Sequence, residues 1–385
     1  MQTNEKSVEE LNSVGEMSGI EQESEGTMDA IAQPFDPERI EVGTRSMTVD
    51  LLMSRIRSGA IDLAPDFQRR AGIWTDERQS RLIESLLLRI PLPTLYAAED
   101  EVETWAIVDG IQRLTTIARF IDPDAIRETR LTLKGLEYLS EEFDGATFDK
   151  LPLRLQRRLR ETELVVHIIR YGTPEEVKFN IFARINTGGM PLSSQELRHA
   201  LVPGKARQIL KQWVASEDFK LATGNSIRDD RMADRELALR YIAFRSIPYE
   251  KYVYKDFDDF LRRAMKGINA WDDVRSRAMR DEFVSAMQSA LEIFGQYAFR
   301  KLYSSNMSRY PINKALFEAV AVGLGALVPN DRRELCKRRK IVIDGFMKLM
   351  QDTRFDSSIS QGTGDPSKVR YRFSAIDNLF RNTLA

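Results

Sequence analysis

The chain has 385 residues, 42% of them hydrophobic, which is enough to bury a substantial core and gives two domains as the expectation. One cysteine excludes a disulfide framework, and two histidines exclude an HNH nuclease, a zinc site of paired histidines and a histidine-based triad. Near neutrality overall (57 lysines and arginines against 58 acidic residues) hides an asymmetry: residues 1–41 carry eleven acidic side chains against Lys6 and Arg39, leaving the remainder at about +8.

In chain order, the acidic stretch 1–41 has few aromatics and reads as a disordered tail. It lacks the basic-then-apolar order of a signal peptide, and no apolar run reaches membrane-spanning length, so a soluble cytoplasmic protein without a membrane partner is expected. "MTVDLLMSRIRSG", Met47 to Gly59, predicts a short helix stopped by glycine, and Ile61 to Trp74 an extended segment. "TDERQSRLIESLLLRI" combines an acidic first turn with Leu82, Ile83, Leu86, Leu87 and Ile90 at helical spacing before Pro91. "TLYAAE" and "TWAIVDG" then predict two strands, the second buried.

Residues 122–160 are turn-rich and end in "LPLRLQRRLR", whose arginines read as a solvated helix face. "ELVVHIIR", Glu163 to Arg170, predicts a strand with His167 as a hydrogen-bonded core residue, and Pro174 to Gly189 a helix stopped by Thr-Gly-Gly. Ser193 and Glu196 have capping-box spacing and open a further helix, on which His199 reads as a surface residue. Beyond about residue 200 only long amphipathic helices are predicted. The expected architecture is α+β, a small mixed sheet with helices over 42–204, followed by an all-helical domain over 205–385.

The Asp109-Gly110 pair in "WAIVDGIQRLTTIARF" has the composition of a hairpin turn, yet the residues after it do not alternate. Ile111, Leu114, Ile117, Ala118 and Ile121 share one helical face, so the unit is strand, sharp turn, helix. A helix start presents unpaired N–H groups and the positive end of its dipole, which suits phosphate. Gly110 permits close approach, while Gln112 and Arg113 fall in the first turn, the latter able to fork onto phosphate oxygens.

Two more polar clusters sit at element ends: Gln68 and Arg69 in "DFQRR", and Arg184, Asn186, Thr187, Gly188 and Gly189 in "FARINTGG". Each alone has a structural explanation, such as helix termination. Together they suggest a site that grips phosphate and sugar by hydrogen bonds without histidine or cysteine. No P-loop or dinucleotide fingerprint occurs. Pro65-Asp66 with Glu176-x-Lys178 superficially matches a metal nuclease, but Glu176 falls on a predicted helix rather than a strand, and no protein metal site is assigned.

"DFQRRAGIW", "RLIESLLLRIPLPTLY", "VDGIQRLTTIARF", "FARINTGGMPLSSQELRHAL" and "RMADRELALRYIAF", in that order from Ile61 to Arg245, closely resemble the N-terminal domain family of GmrSD-type restriction enzymes. The resemblance implies a ParB/sulfiredoxin-like fold in which a strand-turn-helix element binds a nucleoside triphosphate with Mg²⁺. The family's Asp-Gly-Gln-Gln-Arg signature falls on Asp109 to Arg113, with Ile111 at its first glutamine. Ile cannot position water, which weighs against hydrolysis more than against binding. The resemblance implies Asp109, Gln112 and Arg113 as the catalytic group, with Gln68, Arg69, Gly110, Arg184, Asn186 and Thr187 completing the nucleotide site. It further implies a regulatory role in restriction or anti-phage defence, with a separate nuclease or toxin effector as partner, because this chain lacks the HNH parts. The rival reading is a DNA-binding or protein-docking module, supported by the basic remainder and by "DRRELCKRRK", Asp331 to Lys340. That cluster alternates with apolar residues at helical spacing, as a solvated helix face does.

Overall fold

A computed structural model describes residues 8–11, 15–23, 40–63, 74–185, 192–228, 231–254, 256–305 and 307–385. The elements run β1 (Glu9–Leu11), β2 (Met17–Glu21), β3 (Val42–Thr48), α1 (Val49–Arg57), β4 (Ile61–Asp62), α2 (Asp76–Leu87), β5 (Leu95–Glu99), β6 (Trp105–Asp109), α3 (Ile111–Ile121), α4 (Ser140–Phe143), α5 (Leu153–Glu161), β7 (Glu163–Ile169), α6 (Glu175–Ile185) and α7 (Ser194–Leu201). They continue through α8 (Lys205–Val214), α9 (Glu217–Ala222), α10 (Ala233–Ser246), α11 (Phe257–Asn269), α12 (Asp273–Phe294), α13 (Lys314–Ala326), α14 (Pro329–Lys337), α15 (Arg339–Met350), α16 (Thr353–Ser360) and α17 (Pro366–Leu384). Two compact units result, one of Gln33–Leu201 and one of Met1–Ala32 with Val202–Ala385. No helix among the described residues is long and apolar enough to cross a membrane.

The first unit is α+β. Its five-stranded sheet has the order β3-β7-β5-β6-β4. Strand β7 pairs antiparallel with β3 and parallel with β5, while β6 pairs antiparallel with β5 and parallel with β4. The predicted helices form where their caps lie. Thr48 Oγ1 accepts from Leu51 N at 3.3 Å to open α1, and Thr75 Oγ1 accepts from Arg78 N at 3.3 Å to open α2. Both halves of the capping box close on α7: Ser193 N donates to Glu196 Oε2 at 2.6 Å, and Glu196 N to Ser193 Oγ at 3.2 Å. Strand β3 is absent from the pattern reading because only Met47 of its seven residues is buried, as befits an edge.

Two readings of side chains change. His199 is fully buried with its α7 neighbours Gln195, Glu196 and Arg198, not on the surface. The helix carries its polar residues inward, where Arg198 Nε donates to Gln195 Oε1 at 2.9 Å. On α5, Arg154, Arg157 and Arg160 are exposed as expected, but Arg158 is half-buried and donates to the Leu87 carbonyl at 2.7 Å.

The second unit is helical, and α13 runs through its centre with Lys314 and Glu318 among its buried residues. Its largest departure from expectation is the acidic segment, whose described residues 8–11 and 15–23 are ordered rather than a disordered tail. Strands β1 and β2 pair antiparallel, Ile20 is fully buried, and Glu21 N and Ile312 N donate to Ile312 O and Gly19 O at 2.8 and 2.9 Å. Gly19 has φ +81°, and a Cβ there would lie 2.1 Å from Ser226 O. The carboxylates find cations far along the sequence: Glu10 pairs with Lys314 at 2.7 Å, Glu21 with Lys301 at 2.8 Å, and Glu23 with Arg240 at 2.9 Å. A count of local charge is blind to partners two or three hundred residues away.

Replacement of Ile20 by Ala is expected to cost about 2–5 kcal/mol of stability in the helical unit, read as a lowered urea midpoint, whereas a free tail would leave the midpoint unchanged. In the sheet unit, the Glu84 carboxylate accepts from the N–H groups of Glu137, Tyr138 and Leu139 at 3.0, 2.7 and 2.8 Å. Burial pushes this carboxyl up, but the three N–H donors and Arg81 outweigh it and hold it below the ordinary glutamate value of 4.5. Its stabilisation is therefore present above about pH 4.5 and is lost as pH falls through the lower folded value. Glu84→Gln should cost about 2 kcal/mol at pH 7, with the gap to the parent narrowing below pH 4 in chemical denaturation.

Candidate functional site

The strand-turn-helix unit forms as the periodicity predicts. β6 ends at Asp109, Gly110 adopts φ 92°, ψ 10°, and α3 begins at Ile111. A Cβ on residue 110 would lie 2.2 Å from Leu95 Cδ2, so the left-handed turn and the packing of β5 both demand glycine. As the residue preceding the helix, Gly110 supplies no capping side chain. Ile111, Leu114, Ile117 and Ala118 are buried beneath the helix, while Gln112 is half-buried. The residue that replaces the family's first glutamine is thus part of the core.

Arg113 does something other than reach outward. It is 9% exposed, and its guanidinium donates to the Pro93 carbonyl, to the Thr94 carbonyl at 3.3 Å and to Asp109 Oδ2 at 2.9 Å. Burial lowers its pKa from the usual arginine value, and the Asp109 carboxylate opposes that shift. The side chain read as a phosphate fork therefore holds the chain leading into β5 against the end of β6. Asp109 remains 36% exposed at its side chain, with Oδ2 taken by Arg113.

Of the remaining predicted residues, Arg184 lies exposed in the last turn of α6. Gln68, Arg69, Asn186 and Thr187 lie outside the described residues. Lys178, considered with Glu176 for a metal nuclease, is on helix α6 and donates to the Glu99 carbonyl at 3.2 Å. Among the described residues no group of three histidine, cysteine, aspartate or glutamate side chains could hold a metal ion.

The sheet also brings together residues that motif reading passed over. Asp109 is the register partner of Tyr96, Tyr96 of His167, and His167 of Thr44. A register shift between Tyr96 and Ala97 marks a bulge at the Asp109 end of this row. His167 Nδ1 lies 2.9 Å from Thr44 Oγ1, and its ring centroid is 5.0 Å from that of Tyr96 at 34°. Alternation alone signalled that His167 shares a face with Val165, but only strand pairing reveals its neighbours on other strands.

In the basic cluster of the rival reading Arg333, Lys337, Arg339 and Lys340 are exposed, while two arginines are engaged internally. Arg332 donates to the Leu327 carbonyl, and Arg338 to the Thr383 carbonyl at 2.7 Å and to Glu334 at 2.8 Å. Leu335 and Cys336 are buried on the same helix, and burial pushes the Cys336 thiol up to about 11. Such a thiol is inert rather than reactive.

Gly110→Ala is expected to lower the unfolding midpoint by the strain of φ 92° together with the clash at Leu95, at least about 1–3 kcal/mol. Arg113→Lys should also destabilise, because one ammonium cannot reproduce the planar three-acceptor geometry; an unchanged midpoint would refute the bracing role.

No curated protein and no solved structure matches the chain. The matched segment found in the family comparison covers 49–203, from the start of α1 to just past α7, so the motif at Arg231 to Phe244 falls outside it in the helical unit. On the strength of that match, residues 49–203, which include the Asp109-Gly110 turn, resemble the GmrSD restriction endonuclease N-terminal domain.

Proposed function

We propose that the sheet unit binds a nucleoside triphosphate with Mg²⁺ at the Asp109-Gly110 turn and acts as a nucleotide-responsive module of a restriction or anti-phage defence system. The observation that carries this reading is the turn itself: a glycine forced into φ 92° between a strand end and an uncapped helix start, inside the segment that resembles the GmrSD domain. Such a turn lets phosphate oxygens approach backbone N–H groups at the positive end of the helix dipole.

In this arrangement Gly110 admits the phosphates and Gln112, in the first helical turn, orients them or an attacking water. The half-buried carboxylate of Asp109, with Oδ2 on Arg113, is of the type that suits Mg²⁺, which is commonly held by one or two carboxylates plus substrate phosphates. Arg113 acts by bracing Asp109 and the turn, so it is a positioning residue rather than a phosphate ligand. Arg184, with Gln68, Arg69, Asn186 and Thr187, would add contacts to phosphate and sugar. The buried Ile111 favours binding over turnover, since it cannot hold a water. With two histidines in this sequence, this reading assigns any cleavage of foreign DNA to a nuclease outside it, such as an effector partner.

Isothermal titration with the four ribonucleoside triphosphates and Mg²⁺, with phosphate release followed in parallel, tests the reading. Micromolar binding that weakens at least tenfold in Gln112→Ala, at an unchanged unfolding midpoint, is the expected result. No binding of any of the four would leave Asp109-Gly110 a structural turn.

A further inference from the structure

We infer that the row Thr44, His167 and Tyr96 receives the base of the nucleotide whose phosphates lie at the Asp109-Gly110 turn, an inference that rests on the nucleotide reading above. The three residues and Asp109 are successive register partners across β3, β7, β5 and β6, which places His167 two strand spacings, about 10 Å, from Asp109. The row combines a hydroxyl, an imidazole and a phenol ring, and on β5 and β7 it borders an apolar cluster. Tyr96 and His167 are both half-buried, while Ala98 and Ile169, two residues further along the same strands, are buried in an apolar cluster with Phe182 and Leu197. Tyr96 packs at the edge of that cluster, so one side of the ring pair is anchored and its position is fixed.

The hydrogen bond between Thr44 and His167 adds a second constraint. With Nδ1 engaged, the imidazole is oriented, and Nε2 is the ring nitrogen this bond does not use. A half-buried aromatic pair with a second ring nitrogen is suited to a flat heterocycle, which it would contact by stacking and by one hydrogen bond to the base edge. The bulge at Asp109 and the glycine turn then end the row where anionic oxygens are suited. Phosphate and base thus fall on the same sheet, gripped by different elements.

The test compares the best-binding ribonucleoside triphosphate with inorganic tripolyphosphate, both with Mg²⁺, on the full chain by isothermal titration. His167→Ala is expected to weaken the nucleotide about tenfold and to leave tripolyphosphate unchanged, while His167→Phe, which restores a ring, recovers most of the nucleotide affinity. Unfolding midpoints of both variants report whether the fold is kept, and Thr44→Val, which removes only the orienting hydroxyl, should weaken the nucleotide by a smaller factor. Equal affinity of wild-type protein for the two ligands, or a parallel loss of both in His167→Ala, would overturn the inference while leaving the phosphate site standing. If neither ligand binds the wild-type protein, the nucleotide reading fails and this inference with it.

Discussion

A buried guanidinium must place its donors on acceptors, and Arg113 meets that demand by joining three pieces of chain. The carbonyls of Pro93 and Thr94 belong to the approach to β5, and Asp109 to the end of β6, while Arg113 itself stands on the first turn of α3. Leaving any of these buried groups unsatisfied costs about 1–3 kcal/mol, more where charge is involved. The turn at Gly110 is therefore held from both flanks, by Leu95 filling the space where a Cβ would be and by Arg113 reaching back across it. The same bond fixes Oδ2 of the half-buried Asp109.

The helical unit solves a related problem with more charges. Arg240 meets Glu23, Glu236 and Glu318, and Arg372 donates to Glu318 and to the Thr363 carbonyl at 2.8 Å. Burial pushes the Glu318 carboxyl up while Arg372 and Arg240 pull it down, and the net effect is upward. Glu23 ends lowered, because Arg240 and Lys314 outweigh its burial. Breaking one member of such a set leaves its partner charged and dry, which is strongly destabilising.

How much of this was written in the sequence depends on the range over which each signal acts. The turn at Asp109-Gly110, the stripe of Ile111, Leu114, Ile117 and Ala118, and the reciprocal caps of Ser193 and Glu196 are local, and all three are legible from spacing alone. The fate of Arg113 was not legible, since a first-turn arginine looks the same whether it faces solvent or the carbonyl of Pro93 twenty residues earlier. His199 misled for the same reason: its helix buries polar as well as apolar residues, so amphipathic counting gave it the wrong side. Strand β3 and the row from Thr44 to Asp109 depend on pairing between distant strands, which a period of two does not encode.

The path of the chain has a consequence for synthesis. Glu21 lies 292 residues before Asn313, whose amide donates to it at 3.1 Å, and the whole sheet unit is encoded between them. At about 5–20 residues per second, a ribosome takes roughly 15–60 s to make the intervening chain, so the sheet unit emerges first and the opening strands wait. Over most of that interval Glu10 and Glu21 lack Lys314 and Lys301, and Glu23 lacks Arg240 until 217 residues later. Their uncompensated charge keeps the waiting strand pair hydrated and disfavours edge-to-edge association with neighbouring nascent chains, until α13 arrives to close the unit.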